Sequence, residues 1–149
     1  MIGAIIVTHA SVGNELIAAA EYLVGKMERI EAVSIEKEAN SFEARKAIIK
    51  AMERVDHGEG ILLLTDLSEG SPANIAISFW VQDKVEVITG VNLPMVLTLW
   101  NKRETHTLRE VVRAIQLSGQ RSINRSKTLM DVKSDRGKAV AGTKESSSQ

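Results

Sequence analysis

The chain contains no cysteine. Disulfides and thiolate metal sites are therefore excluded, and a disulfide-stapled secreted scaffold is disfavoured. Aromatic residues make up only 3% of the sequence, too few to build stacking platforms for bases or sugar rings. Neither sign of charge is in excess: 19 Lys and Arg balance 19 Asp and Glu, for a formal net charge of +0. Such a chain lacks the electrostatic footprint of a nucleic-acid binder, and it carries no DNA- or RNA-binding motif. Long hydrophobic runs are also missing. The opening Met1-Ile2-Gly3-Ala4 has no basic flank, and its apolar stretch is too short for a signal peptide or a membrane span. The expected location is cytoplasmic. There is no Gly-x-x-x-x-Gly-Lys-Ser/Thr loop, no dinucleotide glycine fingerprint and no His-Glu-x-x-His spacing. ATP, NAD and metal sites thus lack support, and the chemistry is expected to need no cofactor.

What is present fits one domain. The 149 residues are 44% hydrophobic, enough to fill one core, and 26% charged, as is ordinary for a water-exposed surface. Ile2 to Val7 is a continuous apolar run of strand length. Leu16, Ile17, Ala20, Leu23 and Val24 follow at helical spacing, and Gly25 stops them. Ile30 to Ile35 reads as a second strand and Ser41 to Met52 as a second helix. Gly60 to Thr65 contains the most apolar strand. Ser71 is expected to cap a third helix, with Pro72 at its first position and continuation to Trp80. Val85 to Thr89 is a fourth strand. Pro94 to Trp100 and Thr107 to Leu117 read as helices, the latter closed by Ser118-Gly119.

Strands alternating with helices imply right-handed crossovers. The expected fold class is α/β: a small doubly wound, mainly parallel four-stranded sheet with helices on both faces. Arg121 to Met130 is too short and polar for a domain. It is either a frayed extension or an antiparallel strand covering a sheet edge, its own or a partner's. From Asp131 to Gln149 only Val132 and Val140 stand out as apolar, so a disordered polar tail is expected there, outside a domain of residues 1–130.

Chemistry concentrates at two strand ends. The first apolar run ends in His9, followed by Ala10-Ser11-Val12-Gly13. The third ends in Asp66, followed by Ser68-Glu69-Gly70-Ser71-Pro72. In the common small doubly wound orders, strand one lies beside strand three. The imidazole and the carboxylate then meet at the carboxyl edge of the sheet, where open α/β sheets bind ligands. A histidine so placed can be a nucleophile, a general base or a metal ligand. A carboxylate accepting from one ring nitrogen leaves the other free. The start of the third helix offers backbone N–H groups to an anion: Gly70, Ser71, Ala73 and Asn74 are the candidate phosphate-binding residues, since Pro72 has no N–H. Gly90-Val91-Asn92-Leu93-Pro94-Met95 reads as a turn anchored by Asn92. His57 and His106 lie among polar neighbours and are expected on the surface.

Thr8-His9, Thr65-Asp66-Leu67, Gly70-Ser71-Pro72-Ala73-Asn74 and Gly90-Val91-Asn92-Leu93-Pro94-Met95, in this order and spacing, resemble enzyme IIA of the mannose-type (mannose/fructose/sorbose) sugar phosphotransferase system. The resemblance covers the chain from about Ile2 to about Met130. It implies a phosphotransferase that carries a phosphoryl group on His9, taken from the phosphocarrier HPr and passed to a IIB component during sugar uptake. It associates Asp66 with the active histidine. It also implies a homodimer with a C-terminal strand exchanged between subunits, a role for Arg121 to Met130, and membrane contact only indirectly through IIC and IID partners. Two positions depart from the family pattern: Ala10 stands where Gly is usual, and Glu69 replaces the first Gly of the usual pair. If Glu69 pointed inward, about 6 Å from a phosphoryl charge at an effective dielectric near 20, repulsion would cost roughly 3 kcal/mol per charge pair. Pointed outward it costs almost nothing. Three other functions stay open at this stage: a regulatory IIA-like protein, the phosphotransferase subunit of a dihydroxyacetone kinase, and a flavodoxin-like ligand-binding module.

Overall fold

The computed structural model describes residues 1–146, with side-chain surroundings through residue 140. The elements run β1 (Gly3–His9), α1 (Val12–Val24), β2 (Ile30–Ile35), α2 (Ser41–Val55), β3 (Ile61–Thr65), α3 (Ser71–Ile77), β4 (Val85–Thr89), α4 (Leu93–Lys102), α5 (Leu108–Arg121) and α6 (Ser126–Ser146). The four strands form one parallel sheet in the order β2-β1-β3-β4. β1 and β3 are therefore the inner strands, which explains their unbroken apolar sequences: each is buried on both faces. Ala4, Ile6, Leu62 and Leu64 face a core built with α1, α4 and α5. Ile5, Val7, Ile61 and Leu63 face a second core built with α2 and α3.

Local chemistry sets the helix starts. Asn40 caps α2 by accepting from the Phe42 N–H at 2.9 Å. Asn92 anchors the turn after β4 and caps α4, accepting from the Met95 N–H at 3.2 Å. Thr107 and Glu110 form a capping box at the start of α5. The expected cap of α3 lies one residue too late. Gly70 is the N-cap, at φ 95 and ψ −179, and Ser71 is the first helical residue, with no side-chain cap bond. Only glycine adopts that backbone region without strain, so glycine outranks serine for the position. α3 also ends at Ile77, before Phe79 and Trp80.

α5 does not stop at Ser118-Gly119. It passes through them because both make lateral contacts: Thr98 Oγ1 bonds Ser118 Oγ at 2.8 Å, and a methyl on Gly119 would lie 2.7 Å from Met95 Sδ. Gly119 is thus a close-approach glycine between α5 and α4. The amino end of the sheet is closed by Arg103, wholly buried, whose guanidinium donates to the carbonyls of Glu28 and Arg29 and lies 4.7 Å over the Trp100 ring.

The C-terminal segment differs from expectation. Residues 126–130 are not an edge strand but the first turns of α6, which continues to Ser146 through the segment expected to be disordered. Residues 147–149 of that expected tail lie outside the described residues. Every residue from Arg121 to Val140 is exposed. With no face to bury, this segment's form is decided by local bonding. A helix satisfies its own backbone, whereas a strand needs a neighbour.

β1 approaches α2 so closely that a methyl on Gly3 would lie 2.9 Å from the Val55 carbonyl carbon. Gly3→Ala is expected to lower unfolding free energy by about 1–3 kcal/mol, the range for overpacking against backbone. An unchanged urea midpoint would show that β1 and α2 are not packed at this distance.

Candidate functional site

The site forms where β1 and β3 end side by side. Their register pairs Val7 with Thr65; His9, two residues on, is the last residue of β1, and Asp66, one residue on, directly follows β3, so the two side chains meet at this edge. Asp66 Oδ2 accepts two bonds from one residue: the His9 backbone N–H at 3.0 Å and ring Nδ1 at 2.9 Å. The other carboxylate oxygen, Oδ1, accepts from the Leu67 N–H at 2.9 Å. An ionised carboxylate only accepts. Nδ1 must therefore carry the proton, and the lone pair lies on Nε2.

Nε2 faces Gly70. A methyl built on Gly70 would sit 3.4 Å from Nε2 and 3.5 Å from Cε1. The His9 side chain is 47% exposed and that of Asp66 only 16%. The arrangement is thus an open nucleophilic nitrogen held from behind by a covered carboxylate.

Burial alone would push the Asp66 carboxyl up. Hydrogen bonds from the His9 ring, the His9 backbone and the Leu67 backbone outweigh it, with the ring's charge adding to them, and hold the group below the usual aspartate range. A lowered folded-state pKa means that the stabilisation is present above the unfolded-state value and is lost as pH falls through the folded one.

The turn out of β1 is tightly made. Ala10 has φ 45, in the left-handed region that disfavours a Cβ. The buried Thr8 hydroxyl closes this turn by accepting from the Gly13 N–H at 2.9 Å. Gly13 lets α1 press onto the sheet: a methyl there would lie 3.0 Å from the Ile6 carbonyl oxygen. A glycine at position 10 would take the same conformation freely.

Of the four candidate phosphate-binding residues, three keep the required groups. Helix geometry leaves the N–H groups of Gly70, Ser71 and Ala73 without an intrahelical acceptor. Asn74 does not belong with them, because its N–H already donates to the Gly70 carbonyl at 3.0 Å. Glu69 is exposed to solvent, as is His9 itself. His57 and His106 are exposed at the amino end of the sheet, away from His9. Among the described residues no group of histidines and carboxylates has metal-binding geometry, and no helix is long and apolar enough to cross a membrane. The sequence reading missed the Leu67 N–H and the paired hydroxyls of Thr8 and Thr65. Their signal was a threonine as the last buried residue of two otherwise apolar strands.

Fold and site together define a parallel α/β domain with an imidazole–carboxylate pair at its carboxyl edge. The model of the EIIA-man family, described as the fructose IIA component of the phosphotransferase system (PTS), matches residues 3–116. An Escherichia coli K12 protein named as a phosphotransferase enzyme IIA component, YadI, is 30% identical over 111 residues, spanning 74% of this chain and 76% of that one. The PTS fructose-specific EIIA component of Bacillus subtilis 168 is 26% identical over 123 residues, 82% of this chain and 84% of its own. The crystal structure of the phosphotransferase system component EIIA from Streptococcus agalactiae superposes with a TM-score of 0.76 at 25% identity, covering 86% of this chain and 99% of the other. The chain belongs to this family, the mannose/fructose-type IIA components of the phosphotransferase system.

Asp66→Asn keeps the shape of the pair and removes its charge. A charge-assisted bond of about 1.5–3 kcal/mol is lost, so phosphoryl transfer should slow by about 10- to 100-fold in a correctly folded protein. Acidification below the ordinary aspartate range should impair the wild type in the same way. Rapid-quench transfer rates check both; an unchanged rate for Asp66→Asn would reduce Asp66 to a turn-former.

Proposed function

We propose that this chain is a phosphohistidine carrier that takes a phosphoryl group from HPr on His9 and passes it to a IIB component during carbohydrate uptake. The observation that carries the reading is the 2.9 Å bond from Nδ1 to Asp66 with Nε2 left open toward Gly70. In the step itself, the Nε2 lone pair attacks phosphorus. An N–P bond forms on His9 as the N–P bond of the donor phosphohistidine breaks, and the donor imidazole leaves with its electron pair. Positive charge grows on the His9 ring and is balanced by Asp66. The free N–H groups of Gly70, Ser71 and Ala73 are assigned to the transferring oxygens. No oxidant, nucleotide or metal enters, because the donor already holds an activated phosphoryl group.

The reading includes a cytoplasmic homodimer that meets the membrane only through IIC and IID partners. The outer edge of β4 supports the dimer: beyond the bridge from Val81 to Val85 no strand pairs with it among the described residues, and Val87 and Ile88 are half-exposed, beside a groove also lined by Met95, Val112 and Ile123. β4 carries no lysine or proline to shield that edge. A monomer in light scattering would contradict this part.

Incubation with phosphoenolpyruvate, enzyme I and HPr should add one acid-labile, base-stable phosphoryl group. His9→Ala should abolish it, and His57→Ala and His106→Ala should keep it. Label on either other histidine, or no label on the wild type, would overturn the reading.

A further inference from the structure

We propose that Thr65 is a positioning residue for phosphoryl transfer, acting through Asp66; this rests on the reading of His9 as the phosphoryl carrier. Thr65 is wholly buried at the end of the inner strand β3. It lies on the face of the sheet shared with Leu63, which packs with the apolar strand residues Ile5, Val7, Val33, Ile35, Ile61 and Val85. A valine would fill that space as well. The hydroxyl is a polar group out of water, which is unfavourable unless it is bonded. It is bonded, and to one place only among the described residues: Thr65 Oγ1 donates to the Leu67 carbonyl at 2.8 Å.

That bond spans Asp66. Leu67 is therefore held on both sides of its Cα, by Thr65 through its carbonyl and by Asp66 Oδ1 through its N–H. With Oδ1 fixed by Leu67, the carboxylate plane is fixed, and Oδ2 is left in place for the two bonds from His9. The Thr65 carbonyl, in turn, accepts from the Val91 N–H at 2.9 Å. One residue thus ties the turn after β3 to the turn after β4. Leu67 itself is 57% exposed, so no packing of its side chain could supply the restraint. Without the hydroxyl, the Leu67 peptide can turn, Asp66 can rotate, and the His9 ring loses the acceptor that keeps its proton on Nδ1.

The test compares Thr65→Val, which keeps volume and removes the hydroxyl, with Thr65→Ser, which keeps the hydroxyl. Two readouts are taken on the full chain. The first is the transfer rate from phosphorylated HPr. The second is the His9 tautomer in the unphosphorylated protein, read from its ring ¹⁵N shifts at a pH where the ring is neutral. Thr65→Val should slow transfer by about tenfold, as loss of one hydrogen bond allows, and should give a mixture of tautomers. Thr65→Ser should restore both. Should Thr65→Val fail to fold, Thr65→Ala takes its place in the comparison. Wild-type rate and a single tautomer in the hydroxyl-free variant would overturn the proposal, as would a Ser variant no better than it. The tautomer readout needs no donor, so it decides the role of Thr65 even if transfer from HPr fails in the wild type.

Discussion

Asp66 Oδ2 accepting at once from the backbone and the ring of His9 is the constraint on which the site depends. One oxygen bonded to two donors of one residue fixes that residue's position and its ring rotation together. The residues lie 57 positions apart in sequence. They meet only because β1 and β3 are neighbours in the sheet, and those strands are neighbours because both are apolar enough to be buried on two faces. The chemistry thus rests on core packing some distance below it. The two cores hold the strands in register, the register brings two side chains out at one edge, and the hydrogen bonds convert that proximity into a defined tautomer.

The edge carries strain that the core sustains. Ala10 takes a left-handed conformation, and Gly70 takes one that only glycine accepts easily. The first lets the chain turn from β1 into α1 directly after His9. The second brings the backbone up to Nε2 with no side chain between. Thr8 and Thr65 secure the turns on either side. Ala10 retains a Cβ where glycine would be freer. The site therefore bears a small conformational cost there, on the order of 1–2 kcal/mol, that is not intrinsic to its chemistry.

Much of this was legible in the sequence, and the reasons differ by element. The four strands were clear because inner parallel strands must be continuously apolar and their ends fall at polar residues. The pairing of His9 with Asp66 followed from strand order, a fold-level regularity. Helix ends were less clear. At α3 a serine and a glycine compete for the cap, and the winner depends on a backbone angle that sequence does not display. At α5 Ser118-Gly119 reads as a stop, yet Met95 of α4 packs into the space the glycine leaves. Asn74 looked like a free donor because the cap was placed one residue late. The segment after Arg121 misled for another reason: it buries nothing, so hydrophobic pattern, the strongest signal elsewhere, carries no information there.

The central claim is that Asp66 holds the proton of His9 on Nδ1, so that Nε2 is the nucleophile. The most direct measurement is ¹⁵N and ³¹P NMR of the uniformly ¹⁵N-labelled, phosphorylated protein, which identifies the ring nitrogen coupled to phosphorus. The account requires phosphorus on Nε2 and a proton on Nδ1. Phosphorus on Nδ1 would contradict it, because that nitrogen could not then be the donor to Asp66.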